Sequence, residues 1–158
     1  MTVSERPAQA ALRGLFDERK AAYRELTHPP AASAREYHEI VGSRLAQQAK
    51  ALLFRRYRAA GKDYLVYALP GDAEADVESL RAACAADRLR LATPQELELQ
   101  TGCRFGELPP VGSIFGCELW LDRRLLTEPE IYFNAGSLER SFVVDPTVLA
   151  ELEGARIL

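Results

Sequence analysis

Two glycine-rich interruptions limit what this chain can build. The first is Gly102-Cys103-Arg104-Phe105-Gly106-Glu107-Leu108-Pro109-Pro110-Val111-Gly112, with three glycines and two adjacent prolines. Proline removes a backbone donor and fixes φ, while glycine permits φ > 0 and close approach to a ligand. This segment can therefore be neither a helix nor a central strand. The second is Asn134-Ala135-Gly136-Ser137. Together with Lys50, the two loops are what a pocket for a small molecule or a nucleotide end requires, although each alone is equally a simple turn.

Regular elements fill the rest. Leu12, Leu15, Phe16, Ala22, Tyr23 and Leu26 recur at helical spacing, so a first helix is expected from Ala8 to Leu26, ended by His28-Pro29-Pro30. Ser33 with Glu36 forms a capping-box pattern that opens a second helix to Val41. Ala49 to Tyr57 and Tyr64 to Leu69 read as a hairpin turning at Ala59-Ala60-Gly61. Val77 to Ala85 marks a third helix, and Arg88 to Leu91 a short strand. Thr93-Pro94-Gln95-Glu96 supplies an N-cap, a first-turn proline and a capping glutamate for a helix that stops at Gly102. Strands are expected at Phe115–Asp122, Glu130–Asn134 and Arg140–Val144. Asp122-Arg123-Arg124 is expected to be a hairpin turn, and a last helix runs from Asp145-Pro146 to Gly154. The mixture of tight turns and crossovers points to an α/β (α+β) domain with a mixed sheet.

At 158 residues the chain suits one domain with a self-sufficient core. A net charge of −3 means the whole surface is no nucleic-acid glove. The charge is uneven, however. Six basic residues and no acidic one lie between Ile40 and Lys62, namely Arg44, Lys50, Arg55, Arg56, Arg58 and Lys62. Such a strip fits a partner that presents phosphates to one face, and it fits a solvated strand and turn equally well. Cys84, Cys103 and Cys117 are odd in number and lack metal spacing, so each is expected to be a small buried apolar residue in a reducing cytoplasm. No apolar run approaches the length of a membrane span and no secretory leader pattern is present.

The candidate chemistry is sparse. Lys50 starts an apolar strand, where it must either snorkel to solvent or face a polar cavity and hold a phosphate or polarise a carbonyl. The two histidines, His28 and His38, form no metal-type cluster, so zinc is not expected. There is no Gly-x-Ser-x-Gly elbow, Walker loop or Gly-x-Gly-x-x-Gly run. The backbone of Asn134 to Ser137 could form an anion nest or an ordinary β-turn. Trp120 is expected in the core.

Five segments, in order, resemble the YbaK and prolyl-tRNA-synthetase-associated editing domains. They are His28-Pro29-Pro30 with Ser33, Lys50-Ala51-Leu52-Leu53-Phe54, Leu91 to Leu97, Thr101-Gly102 through Gly106 to Pro110, and Phe133 to Ser137. The resemblance covers Thr27 to Leu152 and leaves residues 1–26 as a helical extension ahead of an editing domain at 27–158. It implies one domain around a bent mixed sheet flanked by helices. The implied activity is trans-editing: hydrolysis of the ester of a mischarged tRNA, with a small amino acid such as Ala, Ser, Thr or Cys on tRNA-Pro or a related tRNA.

By the same resemblance, Lys50, Gly106 and Gly136 are the catalytic positions. His28, Pro109, Pro110, Asn134, Ala135 and Ser137 bind substrate, and Arg44, Arg55 and Arg56 contact tRNA. No cofactor or metal is implied. The implied partners are the tRNA acceptor end and an aminoacyl-tRNA synthetase, with no membrane, and the protein is a monomer or a homodimer. One departure stands out: Ala51 follows the lysine where alanine-specific members carry asparagine, which removes the basis for assigning alanine specificity. The competing reading is a non-catalytic module that holds a tRNA 3′ end or a nucleotide-like ligand.

Overall fold

Short strands and helices alternate along residues 5–158, the part of the chain that the computed structural model describes. In chain order they are α1 (Pro7–Glu18), β1 (Arg24–Thr27), α2 (Ala34–Val41), β2 (Ala49–Arg58), β3 (Gly61–Pro70), α3 (Val77–Ala83) and β4 (Arg88–Leu91). The second half adds α4 (Pro94–Thr101), β5 (Glu118–Leu121), β6 (Ile131–Asn134), β7 (Arg140–Val144), α5 (Pro146–Glu153) and β8 (Arg156–Ile157).

The β2–β3 hairpin is the spine. Its arms pair from Ala49↔Pro70 to Arg58↔Gly61, and Gly61 takes φ 136° as the chain turns back. β4 and β3 flank β2, and β5 and β8 continue beyond β3 in parallel, so the order is β4-β2-β3-β5-β8. A second, antiparallel sheet has the order β1-β7-β6. The expected bent mixed sheet is thus two ladders, joined where Gln48 bridges Tyr132.

The caps form as read. Ser33 and Glu36 make a reciprocal capping box on α2, and Thr93 and Glu96 make another on α4. Three expectations need correction. The first helix ends at Glu18 rather than Leu26; Lys20 takes φ 56°, and Arg24–Thr27 pairs with β7 instead. Of the apolar residues that extended the helical pattern, Tyr23 serves an aromatic cluster: it stacks on Phe142 at 4.3 Å, and Phe16 meets both rings edge-on. The strand expected from Phe115 begins only at Glu118, because Ser113–Phe115 is a 3-10 turn ended by Gly116 at φ 70°. Asp122-Arg123-Arg124 is not a hairpin turn. Asp122 caps a 3-10 stretch, Arg123–Thr127, and both neighbours of β5 run parallel to it.

Two apolar clusters fill the two sides of the spine. One unites Leu53, Val66 and Leu121 with Phe133, Phe142 and the α1 residues Leu12 and Phe16. The other gathers Phe54, Leu65, Tyr67, Leu80 and Trp120. Leu12 and Phe16 are fully buried, so α1 belongs to the core rather than trailing from it.

Candidate active site

β4 pairs with β2 only from Phe54 to Tyr57. The edge of β2 from Ala49 to Leu53 therefore lacks a strand neighbour, apart from the bridge beside it at Gln48. A cavity of about 430 Å³ wraps this open edge. Ala49, Ala51 and Leu53 reach it from one face of β2, and Lys50 and Leu52 from the other. The start of α2, the start of α4, Gly106 and the end of β6 close the remaining sides.

Among the described residues, Lys50 is the single cation lining this cavity, and no carboxylate, thiol or imidazole joins it. Its ammonium has one weak protein contact, the Gly71 carbonyl at 3.4 Å, and no ion pair among the described residues. A cation held half-buried without an anion leaves an unmet demand for negative charge. Hydroxyls and amides supply the other polar groups. Ser33 is occupied with Glu36, and Gln48 donates to the Ala34 carbonyl. Phe105 and Leu91 stand at the mouth, 72% and 55% exposed, as apolar surfaces facing water.

Behind the wall lies a closed polar network. Asn134 Nδ2 donates to the carbonyls of Ala31 and Gly106, at 2.7 and 2.8 Å, and so ties three segments together. Tyr37 donates to Ser141 Oγ at 2.7 Å, and burial pushes the Tyr37 phenol above its usual range. His28 Nδ1 faces the Pro29 carbonyl, so in the neutral ring it carries the proton and Nε2 accepts from Ser141 Oγ at 2.6 Å. Ser141 is completely buried and absent from the cavity lining, so this Ser–His contact is no nucleophile.

A second brace holds the glycine loops. Glu107 is 5% exposed; it pairs with Arg6 at 2.6 Å, accepts from Arg104 N, and its backbone carbonyl accepts from Gly136 N at 2.9 Å. A Cβ at Gly106 would come within 2.8 Å of the Ala32 carbonyl, and one at Gly136 within 2.8 Å of Gln9 N. Both glycines also have φ near 80°, so close packing and backbone conformation alike require glycine.

The expected site residues thus divide. Lys50, Gly106 and Asn134 meet at the cavity. His28, Pro109, Pro110, Ala135 and Gly136 lie outside its lining, and Ser137 borders a separate polar cleft beside α1. Of the two readings open at Asn134–Ser137, an anion nest or an ordinary turn, the bonding favours the turn: the N–H groups of Ala135 and Gly136 donate to the carbonyls of Arg140 and Glu107. Arg56, expected to face tRNA, is 3% exposed and held by Asp63 and Glu118, which keep its guanidinium charged and occupied. Arg44 pairs with Glu128 at 2.7 Å, whereas Arg55 lies 4.3 Å over the Tyr64 ring with no carboxylate partner among the described residues. Phe105 and Tyr37 were missed as site residues. An aromatic inside a glycine loop was the available signal for Phe105; the chain offers none for Tyr37.

Cys84 and Cys103 are buried, and desolvation pushes the Cys103 thiol up to about 11. No group of three metal-binding side chains and no membrane-length apolar helix occurs among the described residues.

Residues 28–152 match the aminoacyl-tRNA editing domain, and the chain belongs to that family. The Escherichia coli protein named multifunctional Ser/Thr-tRNA deacylase ProXp-y is 32% identical over 131 residues, covering 82% of this chain and 78% of that protein. A crystal structure described as a trans-editing enzyme for prolyl-tRNA synthetase superposes with a TM-score of 0.79 at 28% identity, over 98% of this chain and 97% of that one. The crystal structure of a hypothetical protein superposes with a TM-score of 0.84 at 24% identity, over 93% and 96% of the two chains, and shares the fold.

Proposed function

We propose that this protein hydrolyses the ester of mischarged tRNA in trans, with small amino acids such as serine and threonine as substrates and tRNA-Pro or a related tRNA as carrier. The observation that carries the reading is Lys50, a cation with no ion pair among the described residues, on the wall of a largely apolar cavity. A terminal phosphate of the CCA end answers its charge. Phe105 and Leu91 offer flat apolar surface for the terminal adenine, since stacking needs only a π-face. The Escherichia coli relative, named a Ser/Thr-tRNA deacylase, and the structure described as a trans-editing enzyme for prolyl-tRNA synthetase support the substrate class and the trans mode.

The chemistry follows from what the cavity lacks. An aminoacyl ester is already activated, so no covalent nucleophile is needed. A water oxygen adds to the carbonyl carbon, and negative charge collects on the carbonyl oxygen. The bond to the ribose oxygen then breaks. That oxygen leaves as the ribose hydroxyl, taking the proton the water gave up, and the free amino acid departs. The protein contributes position, a dry apolar wall and fixed positive charge. Arg55 lies two strand positions beyond Leu53, about 7 Å along β2, where it can meet the acceptor arm. The protein would act in the cytoplasm, where charged tRNA is found, and would meet a synthetase only through their shared substrate.

The test is deacylation of a panel of mischarged tRNAs, with alanyl, seryl, threonyl and cysteinyl esters on tRNA-Pro and on each cognate tRNA. Turnover of a small ester well above the spontaneous rate is expected. Binding of tRNA without turnover of any ester would overturn the proposal in favour of a non-catalytic module.

A further inference from the structure

The open edge of β2 has a direction that the ladder fixes. Leu53 gives its carbonyl to Ala92 N at 2.8 Å, and Tyr57 gives its carbonyl to Asp87 N at 2.8 Å. Both acceptors therefore point away from β3. Strand backbone groups alternate sides, and in an antiparallel pair one residue's N–H and C=O share a side. Ala51 lies two positions before Leu53 in the same unbroken ladder. Its N–H and C=O thus also point away from β3, into the gap between the bridge at Gln48 and the first β4 pair at Phe54. Ala51 lines the cavity, and no strand residue stands opposite it on that side.

We infer that Ala51 pairs through its backbone with the aminoacyl group, as if that group were one residue of a missing strand. This inference rests on the deacylase reading above. An aminoacyl ester carries an α-ammonium donor and a carbonyl acceptor on either side of one Cα. That is the complement of a single hydrogen-bonded residue in an antiparallel ladder. The Ala51 carbonyl takes the α-ammonium. The Ala51 N–H donates to the ester carbonyl oxygen and strengthens its bond as charge develops there. The pairing fixes the Cα, so the amino-acid side chain must leave along one face of β2, against the cavity wall. Ala51 contributes only a methyl group of its own, so recognition at this position is by main chain. The gap also explains how the cavity can work with no carboxylate to hold an ammonium.

Two perturbations test this without touching Lys50. Ala51→Pro deletes the N–H; proline is tolerated where the lost donor faces away from the ladder. Its kcat should fall about 10²-fold with the melting temperature near that of the wild type, as for loss of one oxyanion donor. If the proline variant fails to fold, replacing the residue 51 amide by an ester, through incorporation of lactic acid, deletes the same donor without the ring, and the same loss is expected. On the substrate side, 3-hydroxypropionyl-tRNA lacks only the α-amino group of seryl-tRNA. Its kcat/KM should be about 10- to 100-fold lower than that of seryl-tRNA, as for a hydrogen bond to a charged group. Undiminished kcat in a folded donor-less variant, or equal turnover of 3-hydroxypropionyl and seryl esters, would overturn the inference while the deacylase reading stood. A wild-type protein inert on every ester would instead remove the deacylase reading and this inference with it.

Discussion

Lys50 should affect activity and stability in opposite senses, and Lys50→Met separates them. Methionine keeps the length and the apolar stem and deletes the charge. A unit charge about 4 Å from a phosphate interacts by about 1 kcal/mol in water and about 4 kcal/mol at an effective dielectric constant near 20. The Lys50 side chain is half-buried beside apolar wall, which places the interaction at about 2–3 kcal/mol, or about 10²-fold in kcat/KM. The fold loses almost nothing in exchange, because among the described residues the ammonium has no ion pair and a single 3.4 Å contact with the Gly71 carbonyl. Stability should stay within about 0.5 kcal/mol of wild type or rise. Deacylation kinetics and thermal unfolding of the same preparation check both halves. A Lys50→Met protein that melts several degrees lower yet turns over normally would refute the argument, since the lysine would then be a structural group.

Other outcomes follow from the same geometry. Phe105→Ala should raise KM about tenfold with little change in kcat or melting temperature, because stacking of one base contributes about 1–3 kcal/mol and the ring is 72% exposed. Glu107→Ala should lower stability by about 1–2 kcal/mol in denaturant titration, because it frees the Arg104 N–H and removes the carboxylate that pairs with the partly exposed Arg6. Arg90, the Thr93 N–H and Tyr64 hold the Glu96 carboxyl well below its ordinary value of 4.5, so its contribution is present above that pH and is lost as pH falls through the depressed value. The melting temperatures of wild type and Glu96→Gln should therefore differ at pH 6 and converge in strong acid. The Cys103 thiol, pushed up to about 11 by burial, should resist iodoacetamide at pH 8 in the folded protein, as mass spectrometry would show.

Local signals were legible where local chemistry decides. Ser33 with Glu36 and Thr93 with Glu96 fixed two helix starts, and Ala59-Ala60-Gly61 fixed the hairpin, because caps and turns are written in adjacent residues. Tyr23 misled because an apolar residue can satisfy a helical period while serving a stacked pair with Phe142, more than a hundred positions away. Arg56 misled for the same reason: its basic neighbours are visible in the sequence, but Glu118 reaches it only through the fold. Lys50 and Gly106 were legible as candidates. Their meeting at one cavity depends on β4 stopping at Leu91, a pairing limit that no short stretch of sequence records.

The bridge between Gln48 and Tyr132 has a consequence for how such a pocket changes its taste. The cavity draws its walls from both ladders, and beside it they are stitched by that bridge. A small tilt of one ladder against the other would alter the width available to a side chain while every lining residue stayed the same. Discrimination by a single methylene amounts to only about 1–3 kcal/mol, so a shift of a fraction of an ångström is enough to admit or refuse it. Residues that set the tilt from behind, such as Phe16 beneath Phe142 or Asn134 between Ala31 and Gly106, are therefore places where substrate preference can drift without a change at the pocket surface.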